Sequence, residues 1–322
     1  MKKLIISAFV LLWSVASIAI EKPAEKPILV IGASFSNANI PINDNLVGPL
    51  GGIAVDFGSY LSLGNALVRN PKLPGYVINE AQAGATSFDR RACNPSCSDD
   101  IGWQGYDKQL TKALARVNNP FIGEINADYV VITIGNDCLH SDAFGIPQSD
   151  AVPCSAGEMN TYVDRLIAVG QRAIDLGLTP IFDMYPEFDA FDFGITQAAF
   201  GLQWMISESD YNTLREIHSL RIGSELSGAV VINMWKKFVH RGDGLHPTDD
   251  SVAKAASKIA RKIKRLERKK SKIETGIVIP LRHSSYILGW ITLKIQFTSK
   301  LLWNGVFELF IPLNIKKKMT SI

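Results

Sequence analysis

The sequence has few of the residues and motifs that build metal, nucleotide or α/β-hydrolase sites. Only four of its 322 residues are cysteine, and no two of them form a Cys-x-x-Cys pair, so a zinc site of the usual spacing is not predicted. A glycine-rich phosphate-binding loop is missing, which disfavours a nucleotide-binding protein. The Gly-x-Ser-x-Gly turn of α/β-hydrolases is also missing, which counts against a lipase of that type.

The N-terminal residues predict an export signal that is not part of the fold. Met1-Lys2-Lys3 is basic, Leu4–Ile18 is almost wholly apolar, and Ser17-Ile18-Ala19 has small residues at the usual cleavage spacing. This pattern is typical of a secretory signal peptide, here residues 1–19, and the apolar run is short for a membrane anchor. No cysteine stands directly after the cleavage site, which disfavours a bacterial lipoprotein. We therefore expect a secreted or periplasmic protein.

The four cysteines all follow this segment, as expected for a protein of an oxidising compartment. They are Cys93, Cys97, Cys138 and Cys154, and four cysteines allow three pairings. We expect the two local disulfides, Cys93–Cys97 and Cys138–Cys154, because each of them would close one loop.

Charge is unevenly distributed along the chain. Residues 1–253 carry 18 basic and 28 acidic side chains, whereas residues 254–322 carry 16 and 3. Nothing in the acidic part resembles a nucleic-acid-binding surface, so no nucleic-acid partner is expected. The C-terminal tail, residues 271–322, is basic, and its apolar pieces are too broken for a membrane span. It is either a segment that contacts a membrane surface or sequence without a function, and we favour the second interpretation.

Five short apolar runs predict buried strands, at residues 27–32, 76–79, 129–134, 179–184 and 229–233. Helices are predicted at residues 56–67, 103–117, 159–176, 207–226 and 248–270. The loops expected to shape a pocket are residues 37–50, 88–102, 138–157 and 186–206. Strands that alternate with helices, without hairpin signals, are typical of a parallel sheet. We therefore predict a three-layer α/β/α domain with a five-stranded parallel sheet over residues 27–270.

Chemically useful residues follow the carboxyl ends of four predicted strands, the edge where parallel sheets bind their ligands. Ser34 follows the first strand, Gly84 the second, Asn136 the third, and Asp243 and His246 the fifth. His246 can act as a base near neutral pH, and Asp243 can hold its ring. The backbone N–H of Gly84 and the amide of Asn136 can donate hydrogen bonds to a substrate oxygen. With Ser34 as nucleophile, this set predicts a serine hydrolase that needs no metal and no cofactor.

These residues resemble the signature of the SGNH hydrolase superfamily, also called GDSL esterases and lipases. Its Ser, Gly, Asn and His are matched by Ser34 in Gly-Ala-Ser-Phe-Ser, Gly84 in Ala-Gln-Ala-Gly-Ala-Thr-Ser, Asn136 in Gly-Asn-Asp and His246 in Asp-Gly-Leu-His-Pro. Asp243 stands at the family's position three residues before the histidine. Ala33 departs from the pattern, because the first block usually reads Gly-Asp-Ser. The resemblance implies a flavodoxin-like SGNH hydrolase fold and a secreted serine esterase.

The resemblance also implies a role for each residue. Ser34, His246 and Asp243 would be catalytic, while the N–H groups of Ser34 and Gly84 and the Asn136 amide would hold the oxyanion. The expected substrate is a small-molecule, lipid or acylated-sugar ester. Two alternatives stay open: a phospholipase or acyltransferase that acts at membranes, and a non-catalytic surface- or carbohydrate-binding protein on the same scaffold.

Other residues of the same types are interpreted differently. Ser36 is a weaker candidate for the nucleophile, because it stands two residues further from the strand than Ser34. The remaining histidines have no comparable sequence context and are interpreted as structural or surface residues: His140, His218, His240 and His283.

Overall fold

The structure, a computed structural model, describes residues 26–36, 62–73, 76–93, 97–117 and 127–274. The predicted signal peptide at residues 1–19 and the part of the tail from residue 275 onward lie outside these ranges, so both stay predictions. Residues 56–61 of the first predicted helix also lie outside them. All of the described residues belong to one unit of the chain.

Five parallel strands form the central sheet, as predicted. They are β1 (Ile28–Ile31), β2 (Val77–Asn79), β5 (Tyr129–Ile132), β6 (Thr179–Asp183) and β7 (Val230–Ile232). Their order across the sheet is β2-β1-β5-β6-β7, and every neighbouring pair is parallel. Every residue of β1 and β5 is buried, which explains why both strands are continuous apolar runs.

Six α-helices lie within the described residues. They are α1 (Leu63–Val68), α2 (Tyr106–Val117), α3 (Ala156–Asp175), α4 (Phe193–Phe200), α5 (Glu208–Glu225) and α6 (Asp249–Glu274). Helix α1 packs on α6, and α3 packs on α2 and α5, so helices cover both faces of the sheet. The predicted three-layer α/β/α fold is confirmed. None of the described helices is long and apolar enough to cross a membrane.

Side-chain caps explain where two of the predicted helices begin. Ser155 accepts a hydrogen bond from the backbone N–H of Glu158, whose carboxylate accepts one from the N–H of Ser155. This capping box starts α3 three residues before the predicted position. Thr248, the predicted cap of α6, accepts a hydrogen bond from the N–H of Ser251.

Two stretches predicted as loops contain regular structure. Residues 88–102 hold most of an antiparallel hairpin, β3 (Arg90–Ala92) and β4 (Ser98–Trp103), so the prediction of a chain without hairpins is wrong here. The stretch contains Asp, Asn, Pro and Gly, which are poor strand formers, so its local sequence does not favour a hairpin. The stretch 186–206 contains helix α4, which Asp192 caps by accepting the N–H of Ile195.

Both predicted disulfides are present in the structure. Cys93 pairs with Cys97, and Cys138 pairs with Cys154. The first bond joins residues at the hairpin of β3 and β4. The second joins the residue two positions after Asn136 to the loop before α3. No free cysteine occurs in the described residues.

We expect the Cys138–Cys154 bond to stabilise the fold more than the Cys93–Cys97 bond. The Cys138–Cys154 bond joins residues 16 positions apart, whereas the Cys93–Cys97 bond joins residues only 4 positions apart. Loop-closure entropy predicts a loss of unfolding free energy of about 3 kcal/mol for the double variant Cys138→Ala/Cys154→Ala and roughly 2 kcal/mol for Cys93→Ala/Cys97→Ala. Urea denaturation of both variants beside the wild type measures the two losses. An equal or larger loss for the shorter pair would contradict this ranking.

Candidate active site

All five residues predicted for the site line one cavity of about 370 Å³. Ser34, Gly84, Asn136, Asp243 and His246 come from turns that follow β1, β2, β5 and β7. The rest of the lining was not among the site residues predicted from the sequence: Ala83, Trp103, His140, Asp142, Phe200, Leu202, Arg241 and Leu245. The structure thus brings residues more than 200 positions apart into one site.

Ser34 lies in a short turn directly after β1. The N–H of Gly32 donates to the side-chain oxygen of Gln109 at 2.8 Å, and the N–H of Ser36 donates to the carbonyl of Ala33 at 3.0 Å. Gln109 stands on α2 and is fully buried. A glutamine among the apolar positions of a helix is the sequence signal that could have identified it. Ala33 itself is buried and has no polar side chain to offer this turn.

Ser36 does not line the cavity. Its side chain is fully buried, and its hydroxyl makes a hydrogen bond of 2.7 Å with the hydroxyl of Thr133, the residue after β5. Ser36 therefore connects the turn after β1 with the turn after β5, while Ser34 lines the cavity.

The side chains of Asp243 and His246 are joined by a hydrogen bond. His246 Nδ1 lies 2.8 Å from Asp243 Oδ2, and Asp243 Oδ1 accepts the backbone N–H groups of Leu245 at 2.9 Å and His246 at 2.8 Å. Burial would raise the pKa of Asp243, but these hydrogen bonds outweigh it and lower the pKa to about 2. Asp243 is therefore ionised at neutral pH and favours the ring tautomer with its proton on Nδ1.

The loop that carries this pair is held by its neighbours. His240 Nδ1 accepts the N–H groups of Gly242 and Gly244, each at 3.2 Å, which is a structural role of the kind predicted for this histidine. Gly244 has a φ of +78°, and a Cβ there would lie 2.1 Å from the carbonyl oxygen of Asp192, the cap of α4. Only glycine fits between this helix and the Asp243 loop.

Gly84 and Asn136 both line the cavity, and both carry N–H groups that can donate hydrogen bonds. Gly84 has a φ of +84°, and no acceptor takes its N–H within the described ranges. The Asn136 side chain donates one amide hydrogen to the carbonyl of Ala85 at 2.9 Å, and its backbone N–H donates to the same oxygen at 3.2 Å. A side-chain amide has two hydrogens, so this contact orients the group and leaves the second hydrogen for a ligand.

Two buried acidic side chains that contact the turns of the site were not identified from the sequence. Asp183, at the end of β6, accepts the N–H of Ile134 at 2.9 Å and the indole N–H of Trp235 at 2.9 Å. Burial raises the pKa of Asp183 to about 7, against the opposite effect of these two donors. Trp235 packs edge-on against Phe35, the neighbour of Ser34. Asp183 therefore connects the turn of Asn136 with Trp235, whose ring contacts the residue next to Ser34.

The second carboxylate belongs to Asp137. It accepts the backbone N–H of Ser87 at 2.8 Å and the Ser87 hydroxyl at 2.5 Å, and burial raises its pKa. Asp137 thereby ties the turn of Asn136 to the loop of Gly84. An aspartate that follows a glycine and an asparagine indicates only a turn, so the sequence does not predict this contact.

Two more histidines are buried in the structure. His140 lines the cavity, which the sequence did not indicate, and burial together with nearby Arg90 lowers its pKa to about 3. His218 packs edge-on against Tyr185, and burial lowers its pKa to about 3 as well. Both rings are neutral at pH 7. Within the described residues no group of three or more His, Cys, Asp or Glu is placed to hold a metal ion.

Comparison by sequence gives no match, either to a protein-family model or to a curated protein. Comparison with solved structures finds an aryl esterase of M. smegmatis, with a TM-score of 0.51 and 15% identity over 75% of this chain and 99% of that one. A carbohydrate acetylesterase of Sinorhizobium meliloti has a TM-score of 0.48 and 13% identity over 75% of this chain and 99% of that one. A GDSL-like lipase of Bacteroides thetaiotaomicron has a TM-score of 0.42 and 12% identity over 78% of this chain and 94% of that one. The likeness to the aryl esterase confirms the fold that the resemblance to SGNH hydrolases implied.

We expect Asp183 to make the stability of the protein fall as the pH rises from 4 to 7. Its pKa is about 7 in the folded chain and about 4 in an unfolded one. The folded state therefore holds this proton more tightly, and its advantage is lost as the pH passes through 7. The neutral variant Asp183→Asn lacks this titration. The unfolding free energy of the wild type relative to the variant should decline between pH 4 and 7, by at most about 1.4 kcal/mol per pH unit.

Urea denaturation at several pH values measures this difference. The exposed Asp189 provides the control, because Asp189→Asn makes the same kind of change and keeps Asp183, so the decline that Asp183 causes should remain. A difference between wild type and Asp183→Asn that is constant across the range would contradict the prediction.

Proposed function

We propose that the protein is an exported ester hydrolase of the SGNH type with Ser34 as its nucleophile. The observation that carries this proposal is the single cavity that Ser34 shares with Gly84, Asn136 and the hydrogen-bonded pair of His246 and Asp243. The fold shared with an aryl esterase supports it. The two disulfides and the apolar N-terminal segment support export.

In the first half of the proposed reaction, the Ser34 hydroxyl attacks the ester carbonyl carbon. His246 takes the hydroxyl proton on Nε2, and Asp243 holds the Nδ1 proton and stabilises the charged ring. The carbonyl oxygen becomes an oxyanion that accepts hydrogen bonds from the N–H groups of Ser34 and Gly84 and from the Asn136 amide. His246 then gives its proton to the departing alcohol, which leaves an acyl group on Ser34.

The second half of the reaction uses the same groups on water. His246 removes a proton from a water molecule, and the resulting hydroxide attacks the acyl carbon. The oxyanion forms again at the same donors. It collapses with release of the carboxylic acid, and His246 returns the proton to Ser34. No step needs a metal or a cofactor.

The cavity favours a small ester as the substrate. Its volume is near the lower end of the range for ligand pockets, which is roughly 300–1,000 Å³. Phe200, Leu202 and Leu245 give it an apolar wall, and the Phe200 ring stands edge-on to His246 with centroids 5.5 Å apart. We therefore propose a short acyl chain. The basic tail, on which the membrane-acting alternative depends, lies mostly outside the described residues.

Replacing Ser34 by alanine should abolish hydrolysis of p-nitrophenyl acetate and leave the fold intact. The reason is that Ser34 supplies the attacking oxygen, whereas its neighbours supply the packing of the turn. The matched control is Ser36→Ala, which removes a buried hydroxyl two residues away and should keep the turnover number within a few-fold. A fluorophosphonate probe should label the wild type and Ser36→Ala but not Ser34→Ala. An unchanged turnover number in Ser34→Ala would contradict the proposal.

Replacing Asp243 by asparagine should lower the turnover number by about 10³- to 10⁴-fold. The side-chain oxygen of the variant is held by the N–H groups of Leu245 and His246, so its amide nitrogen faces the ring. The imidazole proton then moves to Nε2, and this protonated nitrogen can no longer accept the proton of Ser34.

Steady-state kinetics on a p-nitrophenyl ester measure this loss. Asp189→Asn, a change of the same kind at an exposed position, should keep full activity. An Asp243→Asn variant that retains more than a tenth of the wild-type turnover number would argue against a catalytic pair.

A further inference from the structure

The hairpin of β3 and β4, missed from the sequence, packs against the loop that carries Gly84. Arg90 lies at the start of β3 and Trp103 at the end of β4, and the two residues are paired in the register of the hairpin. The Arg90 guanidinium carbon lies 3.9 Å from the centre of the Trp103 ring, a cation–π contact. These two side chains donate hydrogen bonds to neighbouring peptide groups.

Arg90 holds the carbonyl group of Gly84. Its Nη2 donates to the Gly84 oxygen at 2.6 Å and its Nε donates to the same oxygen at 3.2 Å. The Arg90 side chain has no exposed surface, and its charge is balanced by the carboxylate of Asp142 at 3.2 Å. The shortest contact of this buried cation is therefore with the backbone of the candidate oxyanion donor and not with its carboxylate partner.

Trp103 holds the carbonyl group of Ala83 through a hydrogen bond from its indole nitrogen. That carbonyl and the N–H of Gly84 belong to the same planar peptide group. In a trans peptide the C=O and the N–H point in opposite directions within this plane, so fixing the oxygen also fixes the direction of the N–H. Arg90 fixes the next peptide plane in the same way, so both dihedral angles of Gly84 are restrained from outside.

Gly84 needs such a restraint because glycine has none of its own. Its φ of +84° is open to glycine, but glycine also occupies many other conformations at little cost. The fit is close: a Cβ on Gly84 would lie 2.9 Å from the Trp103 indole nitrogen and 3.3 Å from Arg90 Nη2. The two side chains leave room for a glycine in one orientation.

We propose that Arg90 and Trp103, together called the Gly84 clamp, are positioning residues that aim the Gly84 N–H at the oxyanion. This inference rests on the proposed ester hydrolysis. The clamp acts on the transition state, in which the oxygen carries a negative charge, much more than on the bound ester. Its loss should therefore lower the turnover number and leave the Michaelis constant nearly unchanged.

Two variants test the clamp in the full chain. Trp103→Phe keeps an aromatic ring beside Arg90 and removes the N–H donor to Ala83. Arg90→Lys keeps the charge beside Asp142 and removes the two-pronged contact with Gly84. We expect the kcat for p-nitrophenyl acetate to fall by about 10- to 100-fold in each, less than the loss of a whole oxyanion donor. The KM should change by less than about twofold, since an aromatic ring still lines the cavity at position 103 and Arg90 is not part of the cavity lining.

Matched controls separate this role from general packing. Arg91→Lys makes the same change at the next residue of β3, which is exposed. Trp204→Phe removes an indole nitrogen that has no hydrogen-bond partner within the described part of the chain. Both variants should keep the wild-type kcat. Thermal unfolding of all four variants reports the folded fraction.

Chemical rescue gives a readout that a merely structural role would not move. Millimolar guanidinium chloride added to Arg90→Ala should restore part of the lost kcat, because the free ion can occupy the place of the side chain. The same salt should leave Arg91→Ala unchanged. If Arg90→Ala does not fold, the kcat of Trp103→Phe decides the matter alone.

Ser34→Ala, assayed alongside, separates failure of the clamp from failure of the proposed function. Activity that persists in Ser34→Ala would overturn the ester hydrolase itself. An inactive Ser34→Ala together with a wild-type kcat in Trp103→Phe and Arg90→Lys would overturn only the clamp. A kcat that falls only as far as the folded fraction falls, or a change confined to KM, would also overturn the clamp.

Discussion

The site depends on the parallel pairing of β1 with β5 at the centre of the sheet. Ile31 is the partner of Ile132, so the two strands end side by side, and the turns of Ser34 and Asn136 begin at the same level. The hydroxyls of Ser36 and Thr133 then join the two turns just above the strands. A shift of the register by one residue would move the turn of Ser34 by about 3.3 Å along the strand relative to the turn of Asn136, so the pairing of the two strands also fixes the position of the candidate nucleophile.

Buried carboxylates connect the remaining loops to this centre. Asp183 holds the backbone beside Asn136 and the ring of Trp235, and Asp137 holds the loop of Gly84 through Ser87. Each accepts two hydrogen bonds in a place where burial raises its pKa. A buried carboxylate disfavours folding unless its partners are in place, so these groups make the relative positions of the loops specific more than they add stability.

The strands, the three-layer fold, both disulfides and the lining of the cavity by five residues could all be predicted from the sequence. They depend on local patterns: apolar runs, glycine exits from strands, and short motifs such as Asp-Gly-Leu-His-Pro. The hairpin of Arg90 and Trp103, helix α4 and the ties made by Gln109 could not, because their residues have weak local preferences. Their structure comes from contacts with partners far along the chain, which no short pattern records.

The elements that the sequence did not reveal have a common place in the site. Gly84 and Gly244 both have positive φ, and each leaves its loop free to move unless something outside holds it. Gly84 is enclosed by the hairpin of β3 and β4, and Gly244 by the first residues around α4, where a Cβ would meet the carbonyl oxygen of Asp192. Glycine permits the close approach that each loop needs, and a neighbouring element then supplies the rigidity that glycine lacks. The stretches that read as loops are therefore the ones on which the aim of the candidate oxyanion donor and of the Asp243–His246 pair depends.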